Sequence, residues 1–440
     1  MKIQKLKELH SRGAALMRRG FERPLYTLGI QGYRGIVALA GKRNPKAAKL
    51  TRGQQEVWSI LDAKIDPESR YIWIHAASLG EFEQGRPLIE RLKEERPEYK
   101  ILLTFFSPSG YEVRKNFPLA DCVCYLPFDT PSNVRRFLDK VNPEMAVFVK
   151  YEIWRNYLEE LHNHRIPTYL ISAVFRPDQK FFRKSSAWYG KWLRWFSRIF
   201  VQDRRSAELL RKVGIEDAVV AGDTRFDRVS AIRSQGKEIP ELERFRAPRD
   251  GKSPAMTFMV GSSWPADEDV YADWVKGHPE VRTVIAPHEF DDARLKALKE
   301  RFGEKCVLMS EARKDPALLD TANVLIIDCF GLLSSAYAYC DMAYVGGAFG
   351  AGLHNINEAA VYDVPVIYGP NNTKFIEARE MAEAGGGYPI KGKKEFEKTA
   401  DGMLSYPEQC KESGKRAGDY IRSKIGATDM IFCALFGEKS

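Results

Sequence analysis

YIWIHAASLGEFEQGRPLIERL, residues 71–92, decides the architecture. A run rich in aromatic and β-branched residues ends in the small side chains Ala76, Ala77 and Ser78, and helical periodicity follows from Leu79 onward. That is a strand, a tight turn and a helix, the first half of a parallel βαβ unit. Moving outward, the unit recurs. Strands are predicted at 71–77, 100–106, 122–127, 145–151, 167–172, 198–202 and 218–221, each followed by a helical stretch. The region AIRSQGKEIPELERFRAPRDGKSPA, residues 231–255, breaks the pattern with Pro, Gly and charge, as a linker does. Strands then resume at 257–261, 282–286, 306–309, 324–328, 342–346 and 365–368. The expected fold class is α/β: two doubly wound, Rossmann-like domains over 65–235 and 256–412, joined by a linker at 236–255. A basic segment, 1–55, precedes them, and a terminal stretch, 413–440, is expected to be helical and to cross back to the first domain. In such sheets ligands bind at the carboxyl ends of the strands, so the chemistry is sought in a cleft between the two domains.

Composition narrows the class. With 440 residues, 44% hydrophobic and 12% aromatic, the chain has ample material for packed cores, which excludes both a small module and a disordered chain. Its seven cysteines, at 122, 124, 306, 329, 340, 410 and 433, contain no CxxC pair, so neither a disulfide framework nor a zinc site is expected and a reducing cytoplasm fits. The net charge of +9 is concentrated at one end. Residues 1–52 hold thirteen Lys and Arg against Glu8 and Glu22, a net +11, so the remainder carries −2. This distribution argues against a nucleic-acid groove through the fold and for a basic segment meeting an anionic membrane surface. Within it, LYTLGIQGYRGIVALAG, residues 25–41, contains Gln31 and Arg34 and is too short for a transmembrane helix. Flanked by Arg18, Arg19 and Arg23 and by Lys42, Arg43, Lys46 and Lys49, it reads as an interfacial anchor, the alternative being an amphipathic helix packed on the body.

Two segments carry chemistry. GGAFGAGLHNINEAA, residues 346–360, follows the strand MAYV and is expected to open a helix near His354. Its glycines permit close backbone approach, and free N–H groups at a helix start suit a phosphate, with Asn355 and Glu358 near enough to reach a sugar. The dinucleotide fingerprint fails, because Asn355 stands where its third glycine belongs, and a structural turn is the competing account. In the first half, Glu81 stands at the junction of strand and helix. It is placed to act as general base on an acceptor hydroxyl, but Ser78-x-x-Glu81 is also a capping box, and the pattern alone leaves both open. FFRKSSAWYGKWLRWFSRIF, residues 181–200, mixes cations with aromatics and suits either a membrane interface or a core-packed amphipathic helix. His162 and His164 have no third ligand nearby and read as solvent-facing.

Taken together, AASLGE at 76–81, FFSPSG at 105–110, YEIWRN at 151–156, GDTRFD at 222–227, VGGAFGAGLHNINEAA and PVIYGP at 365–370 resemble the Kdo (3-deoxy-D-manno-octulosonic acid) transferases of lipopolysaccharide assembly. The resemblance implies a GT-B glycosyltransferase fold, inversion without a metal or other cofactor, CMP-Kdo as donor and a lipid A precursor as acceptor at the cytoplasmic side of the inner membrane. By the family's motif Glu81 is the catalytic base. Donor contacts carry over to Ser262, Ser263, Pro287, His288, Gly331, Gly352, Asn355 and Glu358. Acceptor or phosphate contacts carry over to Ser78, Gly80, Ser107, Ser109 and Glu152, with Arg176 and Arg225 as candidate cations. The chain departs from the family at three places. Ala286-Pro287-His288 lacks the usual arginine between Pro and His, Phe330-Gly331-Leu332 lacks a glutamate, and Lys150-Tyr151-Glu152-Ile153-Trp154-Arg155 keeps only the second Glu and the Trp. Two other classes compete: a different nucleotide-sugar enzyme of the same architecture, such as an epimerase, and a non-catalytic protein of the membrane surface.

Overall fold

The computed structural model describes residues 22–183, 187–249, 251, 256–350 and 352–437. The sequence readings on residues 1–21, including Arg18 and Arg19, and on Lys184 and Ala351 lie outside them. The chain forms two compact units, one running to Thr224 and including the C-terminal stretch from Gly426, the other Arg225–Ile425.

The first unit holds a parallel sheet of β1 (Tyr71–His75), β2 (Lys100–Phe105), β3 (Cys122–Tyr125), β4 (Met145–Val149), β5 (Thr168–Ala173), β6 (Arg198–Val201) and β7 (Val219–Val220), in the order β3-β2-β1-β4-β5-β6-β7. Because every β1 residue is buried, the strand shows how both faces are covered. Tyr71 and Trp73 enter the core beneath α2 (Pro45–Lys64), with Val57, Leu61, Phe137 and Tyr157. Ile72 and Ile74, one residue out of phase, enter the opposite core with Phe82, Leu88 and Leu92 of α3 (Leu79–Glu95). Ile431 and Phe432 of the terminal helix Ala427–Phe436 complete that second core, and Arg91 lies 4.3 Å over the Phe432 ring.

Residues 22–40 form a helix, α1, with two distinct faces. On one, Arg23 bonds Glu160 at 3.0 Å, the Tyr26 hydroxyl donates to Asp129 at 2.7 Å, and Tyr33 stacks on Phe106. On the other, Leu25, Leu28, Ile36 and Leu39 share one stripe of the 3.6-residue period and are each about two-thirds exposed. No helix among the described residues is long and apolar enough to cross a membrane. The 181–200 segment is not one helix but short turns at Lys180–Phe182, Ala187–Gly190 and Trp192–Trp195 leading into β6. Trp192, Leu193 and Phe196 go into the core, which leaves Lys191, Arg194 and Arg198 exposed.

The second unit repeats the design with β8 (Met256–Ser263), β9 (Val281–Pro287), β10 (Cys306–Leu308), β11 (Val324–Ile326), β12 (Met342–Val345), β13 (Val366–Tyr368) and β14 (Gly387–Pro389), ordered β10-β11-β9-β8-β12-β13-β14 and parallel throughout. All thirteen strands expected from the sequence are present; the added one is β14.

Candidate functional site

At the carboxyl end of the first sheet, three loops bring the motif residues together. After β1, Ser78 is the N-cap of α3, and Gly80 is exposed in its first turn. The Glu81 carboxylate turns back to accept from the Ser78 backbone N–H at 3.0 Å and the Ser78 hydroxyl at 3.3 Å. Both bonds fall on Oε2, so the capping box exists and is compatible with chemistry at Oε1. After β2, Ser107 caps the helix α4 (Pro108–Arg114) and its hydroxyl lies 3.0 Å from that of Ser109. The Ala77 carbonyl accepts from the Phe106 and Ser107 N–H groups, which ties the first two loops together. After β4 come Lys150, in the left-handed region at φ 68°, then Glu152 and Trp154. Ser172, near the end of β5, is a second left-handed residue at φ 52°. Left-handed backbone at Lys150 and Ser172 is therefore strain at this end of the sheet, as it is at Asn142 and Arg165 elsewhere in the unit.

The electrostatics of this end favour a base. Glu81 is half-buried, and burial raises its pKa above the usual carboxylate range, with the nearby Glu152 charge pushing the same way; His75, Lys150 and the Ser78 backbone bond pull against them. A carboxylate made more basic than usual is a better proton acceptor near neutral pH.

One functional group here was missed by sequence reasoning. His75, wholly buried at the last position of β1, points its Nε2 at Glu152 Oε2 across 3.2 Å. The only signal was its place at the strand terminus, four residues before Leu79, where carboxyl-end side chains gather. Of the two candidate cations, Arg176 is exposed, 3.4 Å from the Tyr151 hydroxyl. Arg225 belongs to the second unit, where it is ion-paired with Glu377 at 3.0 Å.

At the carboxyl end of the second sheet, β8 ends in Ser262, left-handed at φ 52°, and Ser263, while β9 ends in Pro287 followed by His288. The His288 N–H donates to the Ser263 carbonyl at 3.0 Å, and the buried Ser263 hydroxyl pairs with the Tyr271 hydroxyl at 2.9 Å, so Ser263 shapes the end of the strand. The rings of Trp264, His288 and His354 are layered, with centroids 4.7 Å apart in the first pair and 4.2 Å in the second. The Trp264 indole donates to His354 Nε2 at 3.1 Å. Burial and the adjacent His288 push His354 down to about 4, and burial lowers His288 too, so both imidazoles are neutral at physiological pH.

The glycine-rich segment differs from its expected form. Residues 353–356 are not helical and the helix Asn357–Ala360 has a single turn, so Asn355 precedes it. The local polar groups explain the delay: Asn355 Oδ1 accepts from the Asn357 N–H at 3.2 Å, and its amide donates to Glu358, which also accepts from the Ser334 hydroxyl at 2.6 Å. Gly352 and Gly331 both have positive φ, at 145° and 82°. Asp267, buried in the first turn of the helix after β8, was also unforeseen. It accepts from the N–H groups of Trp264 and Gly347, both at 2.9 Å, and from the Tyr344 hydroxyl at 2.8 Å. Among the described residues no group of three or more His, Cys, Asp or Glu is arranged to hold a metal ion.

Comparison with known proteins adds the following. Residues 47–228 match the family model of 3-deoxy-D-manno-octulosonic-acid transferase. The enzyme of that name from Aquifex aeolicus is 26% identical over 354 residues, covering 78% of this chain and 89% of its own. Its Haemophilus influenzae counterpart is 26% identical over 410 residues, 87% and 90% of the two chains. Among solved structures, UDP-GlcNAc 2-epimerase from Neisseria meningitidis superposes with a TM-score of 0.57 at 14% identity, over 84% of this chain and 100% of that one. MurG from Acinetobacter baumannii does so with 0.51 at 9%, over 82% and 98%. These structural likenesses fix the fold as GT-B.

Proposed function

We propose that this chain is a glycosyltransferase of the Kdo transferase family and that it moves Kdo from CMP-Kdo to a lipid A precursor, with inversion and with Glu81 as general base. The observation that carries the reading is the half-buried Glu81 at the carboxyl end of the first sheet, its basicity raised by burial and Glu152. In the proposed step Glu81 takes the proton of an acceptor hydroxyl while the hydroxyl oxygen bonds to the anomeric carbon of Kdo. The bond from that carbon to the phosphate oxygen breaks, and CMP leaves with the electron pair. Ser78 holds the carboxylate in place through its N–H and hydroxyl. The glycine-rich segment, with Asn355 and Glu358, is suited to the cytidine monophosphate, and the neutral pair His288 and His354 adds uncharged hydrogen-bonding groups beside it. The test is transfer of Kdo from CMP-Kdo to a tetraacyl lipid A precursor with EDTA present. Transfer is expected; binding of CMP without transfer would mean that the sugar or the acceptor is another one.

The same reading puts the protein on the cytoplasmic face of the inner membrane. The exposed stripe Leu25, Leu28, Ile36 and Leu39, followed by Lys42, Arg43, Lys46 and Lys49, combines apolar burial with attraction to anionic lipid, about 1 kcal/mol per cation near the surface. Vesicles rich in anionic lipid are expected to sediment the protein. Replacing the four stripe residues by Ser is expected to abolish retention at a salt concentration where the native chain stays bound. Retention unchanged by the replacements would set this orientation aside.

A further inference from the structure

The proton positions around His75 follow from its neighbours. The Trp73 indole N–H donates to Thr104 Oγ1 at 2.8 Å, so the Thr104 hydroxyl hydrogen is free to point to His75 Nδ1, 2.9 Å away. The competing partner for Nδ1 is the Thr104 carbonyl at 3.2 Å, which already accepts the Ala76 N–H at 3.0 Å. With Nδ1 accepting, the ring hydrogen is on Nε2 and faces Glu152 Oε2 at 3.2 Å. The same oxygen takes the Trp154 indole N–H at 2.8 Å, which is the shorter of that group's two contacts, the other being His75 Nε2 at 3.1 Å. In this arrangement every donor in the chain Trp73–Thr104–His75–Glu152–Trp154 has an acceptor, and Glu152 Oε2 takes two N–H donors. Phe148 and Trp154 wall the imidazole edge-on, which holds its plane.

We infer that His75 is a positioning residue of the transfer reaction: locked by Thr104 with its proton on Nε2, it donates to Glu152 and keeps that carboxylate charged beside Glu81. The inference rests on the reading of Glu81 as base. The titratable and charged groups around Glu81 in this unit are Glu152, Lys150 and Tyr151 from the segment after β4, and His75 from β1. Of these, the Glu152 carboxylate is the one whose charge holds a proton on Glu81 more tightly, so whatever fixes that charge sets the strength of the base. If the Thr104 hydroxyl is removed, Nδ1 can donate to the Thr104 carbonyl and Nε2 turns a lone pair toward Glu152. That contact is satisfied when Glu152 or the imidazole itself takes up a proton, and either one offsets the Glu152 charge. Glu81 then loses its repelling neighbour and becomes a weaker base.

The test compares the native chain with Thr104→Val, His75→Gln and His75→Phe, each first shown to fold by thermal unfolding. Thr104→Val keeps the side-chain shape, and His75→Gln keeps an N–H at the Nε2 position. Nitrogen-15 shifts of the labelled histidines are expected to place the native His75 proton on Nε2 and to move it in Thr104→Val. Carbon-13 titration of Glu81 and the acid limb of kcat are expected to move together to lower pH by about half a unit or more in Thr104→Val; in His75→Phe, where the imidazole's own pull on Glu81 is lost as well, they are expected to leave the native value together. In both, kcat falls about tenfold with KM unchanged, and His75→Gln stays near the native values. A native proton on Nδ1, an unmoved Glu81 titration in Thr104→Val, or a His75→Gln variant as impaired as His75→Phe would each overturn the inference. The two NMR readouts need no substrate. A native chain that shows the expected tautomer and Glu81 titration yet transfers no Kdo would therefore overturn the transferase reading, and with it the role of His75 in that reaction.

Discussion

Glu81→Gln is expected to lower the rate of Kdo transfer by about 10²–10⁴-fold while leaving the protein folded and its affinity for CMP unchanged. The amide keeps the size of the side chain, and its oxygen can still accept from the Ser78 N–H, so the cap on α3 survives. What it cannot do is take a proton. Glu81→Ala removes both functions and separates them further: loss of the cap costs about 1 kcal/mol of stability, an effect that Gln does not produce. If Gln and the native residue transfer equally, Glu81 is only a helix cap. Rates at saturating acceptor, with unfolding curves for both variants, decide the matter.

The pH dependence has a definite sign. A base must be deprotonated to work, and the pKa of Glu81 is raised, so activity is lost as pH falls through a value above the ordinary carboxylate range. At the proposed donor end His354 is held at about 4 and His288 is lowered as well, so neither imidazole titrates above its ordinary range. A kcat profile whose acid limb survives in His354→Ala and disappears in Glu81→Gln is the expected pattern; a limb that follows His354 would reassign it.

How much of this was legible in the sequence depended on which physical signal each element leaves. Strands buried on both faces leave continuous apolar runs, and YIWIH, ILLTF and MAVFV were read without difficulty. β14 escaped because Gly387-Tyr388-Pro389 has none of the β-branched residues that mark a strand; it follows two further glycines and is made by pairing with β13. The glycine-rich segment was recognised as a turn, but its helix begins later than expected, because Asn355 spends its side chain on the backbone and on Glu358. Glu81 was visible through its spacing from Ser78. His75 was not, because its partners come from β2 and the loop after β4, and of the Asp267 contacts only the Trp264 N–H three residues back is local, the others coming from β12 and the turn after it. Such contacts exist only after the sheet has assembled.

Asp267 supplies the second large effect. Its two oxygens serve three donors, with Oδ2 shared by the Trp264 and Gly347 N–H groups and Oδ1 taken by the Tyr344 hydroxyl, all in a site that excludes water. Removing the carboxylate by Asp267→Ala strands two backbone N–H groups and a hydroxyl, and the expected loss is about 3–5 kcal/mol of stability. The turn cannot relax to recover the bonds. A Cβ at Gly346 would already stand 2.5 Å from the Ser262 carbonyl and 2.8 Å from Asp267 Oδ2, so the backbone there is packed to its limit. Asp267→Asn is the informative contrast. Its amide can turn so that the oxygen faces the two N–H groups while the NH2 donates to the Tyr344 oxygen, since a hydroxyl both accepts and donates. The Asn variant is therefore expected within about 1 kcal/mol of native stability, with CMP binding retained, whereas the Ala variant is expected to lose CMP affinity along with stability, because Gly347 leads the glycine-rich segment proposed to hold CMP. Unfolding by denaturant and calorimetric titration with CMP measure the two quantities. Equal damage in Asn and Ala would show that charge rather than hydrogen-bond geometry holds the turn, and no damage in either would mean that Gly347 is positioned by the chain around it.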